Sequence, residues 1–169
     1  MRTLMKFGVR LGENQPQKQV QERLREYIIN YQEAKLVLHS IIIPCYKSSQ
    51  TIREVVELTS AELDRLGRPD YEFILVDDYS PDDGATLKEL RSLAADYPFV
   101  KAISLAKNSG QHNAVMAGLN YAQGDLLIAM DDDMQTHPSQ LHFLLEEIEK
   151  GYDIVYGYYP DKKHSTFRN

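Results

Sequence analysis

The chain has 169 residues, 43% of them apolar and 26% charged, with a net charge of −6; these are ordinary values for one globular domain large enough to bury a core. Residues 36–169 hold 21 acidic against 12 basic groups, while 1–35 hold 7 basic and 4 acidic, and so acidic a body excludes a general nucleic-acid binder. No apolar run approaches the roughly 18 residues of a membrane span, the polar start is unlike a secretory signal, and the single Cys45 excludes an internal disulfide or a cysteine metal cluster.

Residues 1–15 show no clean period and read as an arm. From Pro16 a helix is expected, with Val20, Leu24, Tyr27 or Ile28, and Tyr31 on one apolar stripe. That stripe can pack on the main domain, on a second copy, or on a membrane surface. From residue 36 strands and helices alternate. Leu36 to Ile43 is a β-branched run ended by Pro44, and Ser49 to Leu66 has helical spacing and is stopped by Gly67 and Pro69. Tyr71 to Val76 reads as the second strand, and Leu87, Leu90, Leu93 and Ala94 give the next helix its buried face. Phe99 to Leu105 is the third strand, Ala114 to Ala122 lies in the third helix, and Leu126 to Met130 is the fourth strand. A helix from about Pro138 to Lys150 and a fifth strand over Tyr152 to Tyr156 complete the pattern. Such alternation predicts right-handed crossovers and a mainly parallel sheet.

Ligands of open α/β sheets bind beyond the carboxyl ends of the strands, so the loops leaving those ends matter most. After the fourth strand come Asp131, Asp132 and Asp133. Adjacent carboxylates repel one another unless a cation neutralises them, and all-oxygen ligands suit Mg2+ or Mn2+. The same triplet would also serve as a solvated helix-capping turn. Tyr46, after the first strand, can stack on a flat base or cover the sheet edge. Asp77 and Asp78, after the second, can accept hydrogen bonds from a base or ribose or cap the next helix. Lys107-Asn108-Ser109-Gly110 sets a cation and a glycine turn before a helix, a setting suited to phosphate. Cys45, in an apolar strand end, reads as buried filler.

Together PCYKSS, VDDYSPD, LAKNSGQHNAVMAGLNYAQGD and MDDDMQTHP, in this order over residues 38 to 157, resemble the motifs of family 2 glycosyltransferases. Within that family they resemble the branch that transfers sugars to polyisoprenyl phosphates. The resemblance implies a Rossmann-like GT-A three-layer α/β sandwich over 36–160, preceded by an N-terminal arm and helix over 1–35. A basic tail over 161–169 would open an acceptor half that lies outside this chain. Pro44, Tyr46, Val76 and Asp78 would line a uracil or guanine pocket, and Lys107 would approach the diphosphate. Asp131 and Asp133 would form the acidic pair at ribose and metal, with Asp132 beside them on the donor. Gln135 would complete the shell of Mg2+ or Mn2+, and the catalytic base is expected beyond Asn169.

The expected activity is inverting transfer from a UDP- or GDP-sugar to a lipid-phosphate or glycan acceptor, in the cytoplasm or at the inner face of a membrane. A second copy of the chain is a further expected partner. Two other readings stay open: a nucleotide-binding or interaction module without turnover, and a Mg2+-dependent phosphotransfer domain with Asp131 as nucleophile and Lys107 as its partner. The sequence departs from the family at Lys47 and Ser48, where Asn-Glu is common, and at Tyr79, where Gly is common. These departures touch base recognition.

Overall fold

The computed structural model describes residues 20–26, 37–135 and 137–157. After helix α1 (20–26), the domain runs β1 (His39–Cys45), α2 (Ile52–Arg65), β2 (Tyr71–Asp77), α3 (Ala85–Asp96), β3 (Val100–Ser104), α4 (Gln111–Leu119), β4 (Leu126–Ala129), a 3-10 turn (Pro138–Gln140) and α5 (Leu141–Ile148). The four strands form one sheet in the order β3-β2-β1-β4, and every neighbouring pair is parallel.

Side chains alternate across a strand, so each strand feeds two layers. Ile41, Ile43, Cys45, Phe73 and Leu75 share one core with Ile52, Val55, Val56 and Leu63 of α2, Leu90 and Leu93 of α3, and Leu141 and Leu145 of α5. Ile42, Ile74 and Val76 point the other way and pack with Ala114 of α4. The result is a three-layer sandwich whose β3-to-β4 crossover takes the opposite face from the two before it. At Gly118 the helix comes so close to the sheet that an added Cβ would stand 2.5 Å from Ile42 Cγ2 and 3.2 Å from Val76 Cγ2.

A buried polar cluster ties the start of β4 to the sheet. Glu72 accepts from Ser40 Oγ (2.7 Å), Lys101 Nζ (2.7 Å) and the Gln123 amide (2.6 Å). The Gly124 amide donates to Ser40 Oγ at 2.8 Å. Burial pushes the Glu72 carboxyl upward, but the Lys101 ammonium, Ser40 hydroxyl and Gln123 amide outweigh it and hold the group below its usual range. Gly124 is required there, since a Cβ would meet the Leu38 carbonyl oxygen at 2.5 Å.

Several expectations are corrected. β1 does not end at Pro44 but includes it. Ile42 O accepts from Met130 N at the end of β4; two residues on, Pro44 faces the same side where β4 has stopped, so its missing N–H costs no ladder bond. Helix α4 runs from Gln111 to Leu119, so Ala122, expected within it, lies beyond its end. The helix expected from Pro138 opens as a 3-10 turn, with His137 Nδ1 accepting from the Ser139 amide at 3.2 Å. Residues 152–156 form no strand. Tyr152, Ile154 and Tyr156 have the period of a strand, yet they are exposed and pair with no neighbour among the described residues. On α1, Val20 and Leu24 are exposed, so this part of the stripe is not covered by the sheet domain; Tyr27, Ile28, Tyr31 and the basic tail lie outside the described residues. No described helix is long and apolar enough to cross a membrane.

Candidate functional site

The strand order reverses between β1 and β4, and the loops leaving these two strands face each other across that switch point. From β1 comes Tyr46-Lys47-Ser48, from β4 Asp131-Asp132-Asp133. Loops after β2 and β3 flank them.

The β1 loop is held at three consecutive amides by three different elements. Tyr46 N donates to Asp132 Oδ2 (3.3 Å), Lys47 N to Ser80 Oγ (3.0 Å) and Ser48 N to Thr86 Oγ1 (2.9 Å). The Ser48 hydroxyl also donates to Asp132 Oδ2. Each anchor is itself anchored: Ser80 Oγ donates to Asp77 Oδ1 at 2.6 Å, and Thr86 N to Asp82 Oδ2 at 3.0 Å. Lys47 takes φ 61° and Tyr79 φ 54°, backbone that a bulky side chain rarely adopts. Tyr46 and Tyr79 stay 48% and 58% exposed, so both rings are free to meet a ligand. The Lys47 ammonium lies 5.6 Å from the Tyr46 ring centroid.

The three acids of the β4 loop do different things. Asp131 is exposed and accepts from Gln111 Nε2 at 2.6 Å. Asp133 is exposed and accepts from the Gln135 amide at 3.0 Å. Asp132 turns inward to the β1 loop. Burial raises its carboxyl above the usual range; the Ser48 hydroxyl and Tyr46 amide oppose that shift, and the charge of Asp133 adds to it. Among the described residues no three His, Cys, Asp or Glu side chains converge as a preformed metal cage. Two solvent-facing carboxylates, Asp131 and Asp133, nevertheless fit the way Mg2+ or Mn2+ is often held, by one or two carboxylates with the remaining positions left to water and substrate phosphates. Gln135 is exposed beside them.

Asp77 and Asp78, read as candidate ligand acceptors or caps, are almost fully buried and already committed. Asp77 holds Ser80 and lies 3.3 Å from Ser104 Oγ. Asp78 accepts from the Ser109 amide with Oδ1 (2.7 Å) and from the Gly110 amide with Oδ2 (2.8 Å), which fastens the β3 loop just ahead of α4; it does not cap α3, the next helix, whose N-cap Gly84 has no side-chain cap bond. Lys107, in that loop, is exposed, and no ion pair among the described residues joins it to Asp131. Pro44 pairs with Val76 in the ladder beneath the site. Cys45 is fully buried, and burial together with the charges of Asp132 and Asp77 pushes its thiol far up, so it is no nucleophile. Gln111 was missed from sequence, although the KNSGQHN stretch contained it; Ser48 and Ser80 lay in motifs already singled out, but their partners, like the role of Thr86, arise from strand order.

A parallel sheet with an acidic strand-end motif at its switch point defines an α/β domain of the kind found in GT-A glycosyltransferases. Solved structures agree on the architecture. Glucosyl-3-phosphoglycerate synthase from Mycobacterium tuberculosis, in complex with Mn2+, UDP and phosphoglyceric acid, matches with a TM-score of 0.55 at 25% identity over 75% of this chain and 44% of that one. The mannosyltransferase PcManGT of Pyrobaculum calidifontis matches in fold with a TM-score of 0.53 at 19% identity, over 75% of this chain and 41% of that one. The glycosyl transferase family 2 pattern matches residues 40–169, and the chain belongs to that family. Curated relatives include an undecaprenyl-phosphate 4-deoxy-4-formamido-L-arabinose transferase of Pseudomonas fluorescens (strain Pf0-1), 43% identical over 69% of this chain and 34% of its own length. The protein of the same name from Enterobacter sp. (strain 638) is 37% identical over 76% of this chain and 39% of its own length. The chain thus spans well under half the length of these relatives.

Proposed function

We propose that this chain carries the donor- and metal-binding portion of a glycosyltransferase that moves a sugar from a UDP- or GDP-sugar to a polyisoprenyl phosphate, with inversion at the anomeric carbon. The observation that supports this most is the meeting of the Tyr46 loop and the Asp131–Asp133 motif across the β1/β4 switch point. In this reading Tyr46 stacks on the base above Pro44 and Val76, and Asp78 holds the β3 loop so that Lys107 reaches the diphosphate. Asp131 and Asp133 hold a divalent cation, with Gln135 beside them. When bound, that cation would neutralise the departing diphosphate. The chain's own part is to orient the donor: an aromatic face fixes one end and the strand-end carboxylates the other, and such positioning supplies much of the rate in group transfer.

The lipid-phosphate acceptor is favoured by the names of the relatives above. A membrane-surface site of action follows from such an acceptor. The test is calorimetric titration with UDP, GDP and their sugars, in Mn2+ and in chelator. Binding of one nucleotide that strengthens with Mn2+, and that loses this dependence in Asp133→Ala, is expected. Equal affinity in Mn2+ and chelator would refute the metal assignment.

A further inference from the structure

We infer that Asp132 is a positioning residue that ties the base-stacking loop to the metal-binding motif, and that it touches neither the base nor the cation. The inference rests on the donor-site reading above and deepens it.

In the β4 loop Asp131 and Asp133 are exposed, while Asp132 is half-buried and faces the β1 loop. One oxygen of Asp132, Oδ2, receives both the Tyr46 amide and the Ser48 hydroxyl. No other described side chain bonds the Tyr46 amide, whereas Lys47 and Ser48 have their own amide partners in Ser80 and Thr86. Tyr46 is therefore held from one side by Cys45, whose carbonyl accepts from Asp78 N at 3.0 Å, and from the other by Asp132. Without Asp132 the exposed ring would keep its covalent place but lose the bond that sets it relative to the acidic pair. The departure from the family pattern noted at Ser48 falls at this contact, while that at Lys47 does not, its amide bonding Ser80 instead. Ser48 is a hydroxyl where Glu is common, and only a donor there can satisfy a carboxylate at 132; two acids would repel. Asp132 and Ser48 thus form a complementary acceptor–donor pair.

The test separates positioning from direct ligation. Affinity for UMP and GMP is measured without metal, and affinity for UDP and GDP in Mn2+ and in chelator, for wild type, Asp132→Ala, Asp132→Asn, Tyr46→Ala and the double variant Asp132→Ala/Tyr46→Ala. Asp132→Ala is expected to lose about tenfold in monophosphate affinity while keeping the Mn2+-to-chelator ratio of the wild type. Asp132→Asn keeps an acceptor oxygen and should stay close to wild type. The double variant should be no worse than Tyr46→Ala, because both act through one ring. If Asp132→Ala does not fold, Ser48→Ala, which removes only the hydroxyl contact, carries the same test with a smaller expected loss. Unchanged monophosphate affinity in Asp132→Ala overturns the inference; so does loss of the Mn2+ ratio with monophosphate binding intact, which would make Asp132 a cation ligand. Wild-type protein that binds no nucleotide at all overturns the donor-site reading itself, a separate outcome.

Discussion

Gly118→Ala probes how closely helix α4 must lie on the sheet for the site to form. The new methyl would stand 2.5 Å from Ile42 Cγ2, 3.2 Å from Val76 Cγ2 and 3.5 Å from Ile74 Cγ2. Carbons rest at about 3.5–4.0 Å, so the helix must retreat by roughly 1 Å at that point. The obstacle is a β-branched side chain on a fully buried strand, which cannot swing aside. Overpacking of this kind costs about 1–3 kcal/mol; the better helix propensity of Ala returns about 1 kcal/mol. A net loss of about 0–2 kcal/mol corresponds to a fall in Tm of up to roughly 8 °C for a domain of this size. The larger effect is expected at the site. α4 carries Gln111, 2.6 Å from Asp131, and its N-terminus is fixed by Asp78 at 2.7 and 2.8 Å. A shift of roughly 1 Å breaks such bonds, and misplacement on that scale costs up to about 100-fold in function. Thermal melts with nucleotide titration in Mn2+ read both effects. The control is Gly67→Ala: φ is +73° with nothing within 4 Å, so it should lower Tm by left-handed strain while leaving nucleotide affinity unchanged. A Gly118→Ala protein with raised Tm and wild-type nucleotide affinity would refute the reasoning.

Glu72→Gln should flatten the acid limb of the stability curve. The folded-state carboxyl sits below its usual range, so its contribution is present above the unfolded value and lost as pH falls through the folded one. Melts from pH 7 down to pH 3 should show the wild type losing more than the variant, with the variant less stable at pH 7. Asp78→Asn leaves one amide of the Ser109–Gly110 pair facing an NH2 group, at a cost of about 1–3 kcal/mol. Hydrogen exchange should speed up at those two amides; loss of nucleotide binding with exchange unchanged would instead make Asp78 a direct reader of the base.

The strands were legible because parallel strands buried on both faces read as runs such as Ile41-Ile42-Ile43 and Phe73-Ile74-Leu75-Val76. The helices were legible from spacings such as Val55, Val56 and Leu63. What stayed hidden depends on which strands become neighbours. Nothing local distinguishes Asp132 from Asp131 and Asp133; only the β1–β4 adjacency turns one of them toward Ser48. Asp78 read equally well as a ligand acceptor and as a cap until β3 was placed beside β2. Residues 152–156 show the converse: a local period is not a strand without a partner to complete its ladder.

Sheet order also has a kinetic side. Strands β1 and β2 pair across a separation such as His39 to Tyr71, and β2 and β3 across Phe73 to Val100, whereas β1 reaches β4 across His39 to Leu126. Contacts at long separation pay more chain-closure entropy and form late. As the chain leaves the ribosome, β1, β2 and β3 are complete before the first residue of β4 exists. The crevice between β1 and β4 thus forms after the β1–β2–β3 sheet, and its own strand has four residues and, among the described residues, pairs with β1 alone. A nascent chain paused before residue 126 would hold most of the hydrophobic core yet have no acidic motif to offer a nucleotide. Ligand-dependent protection during synthesis could therefore begin only after β4 has docked, and a ligand bound in that crevice would stabilise the docked strand.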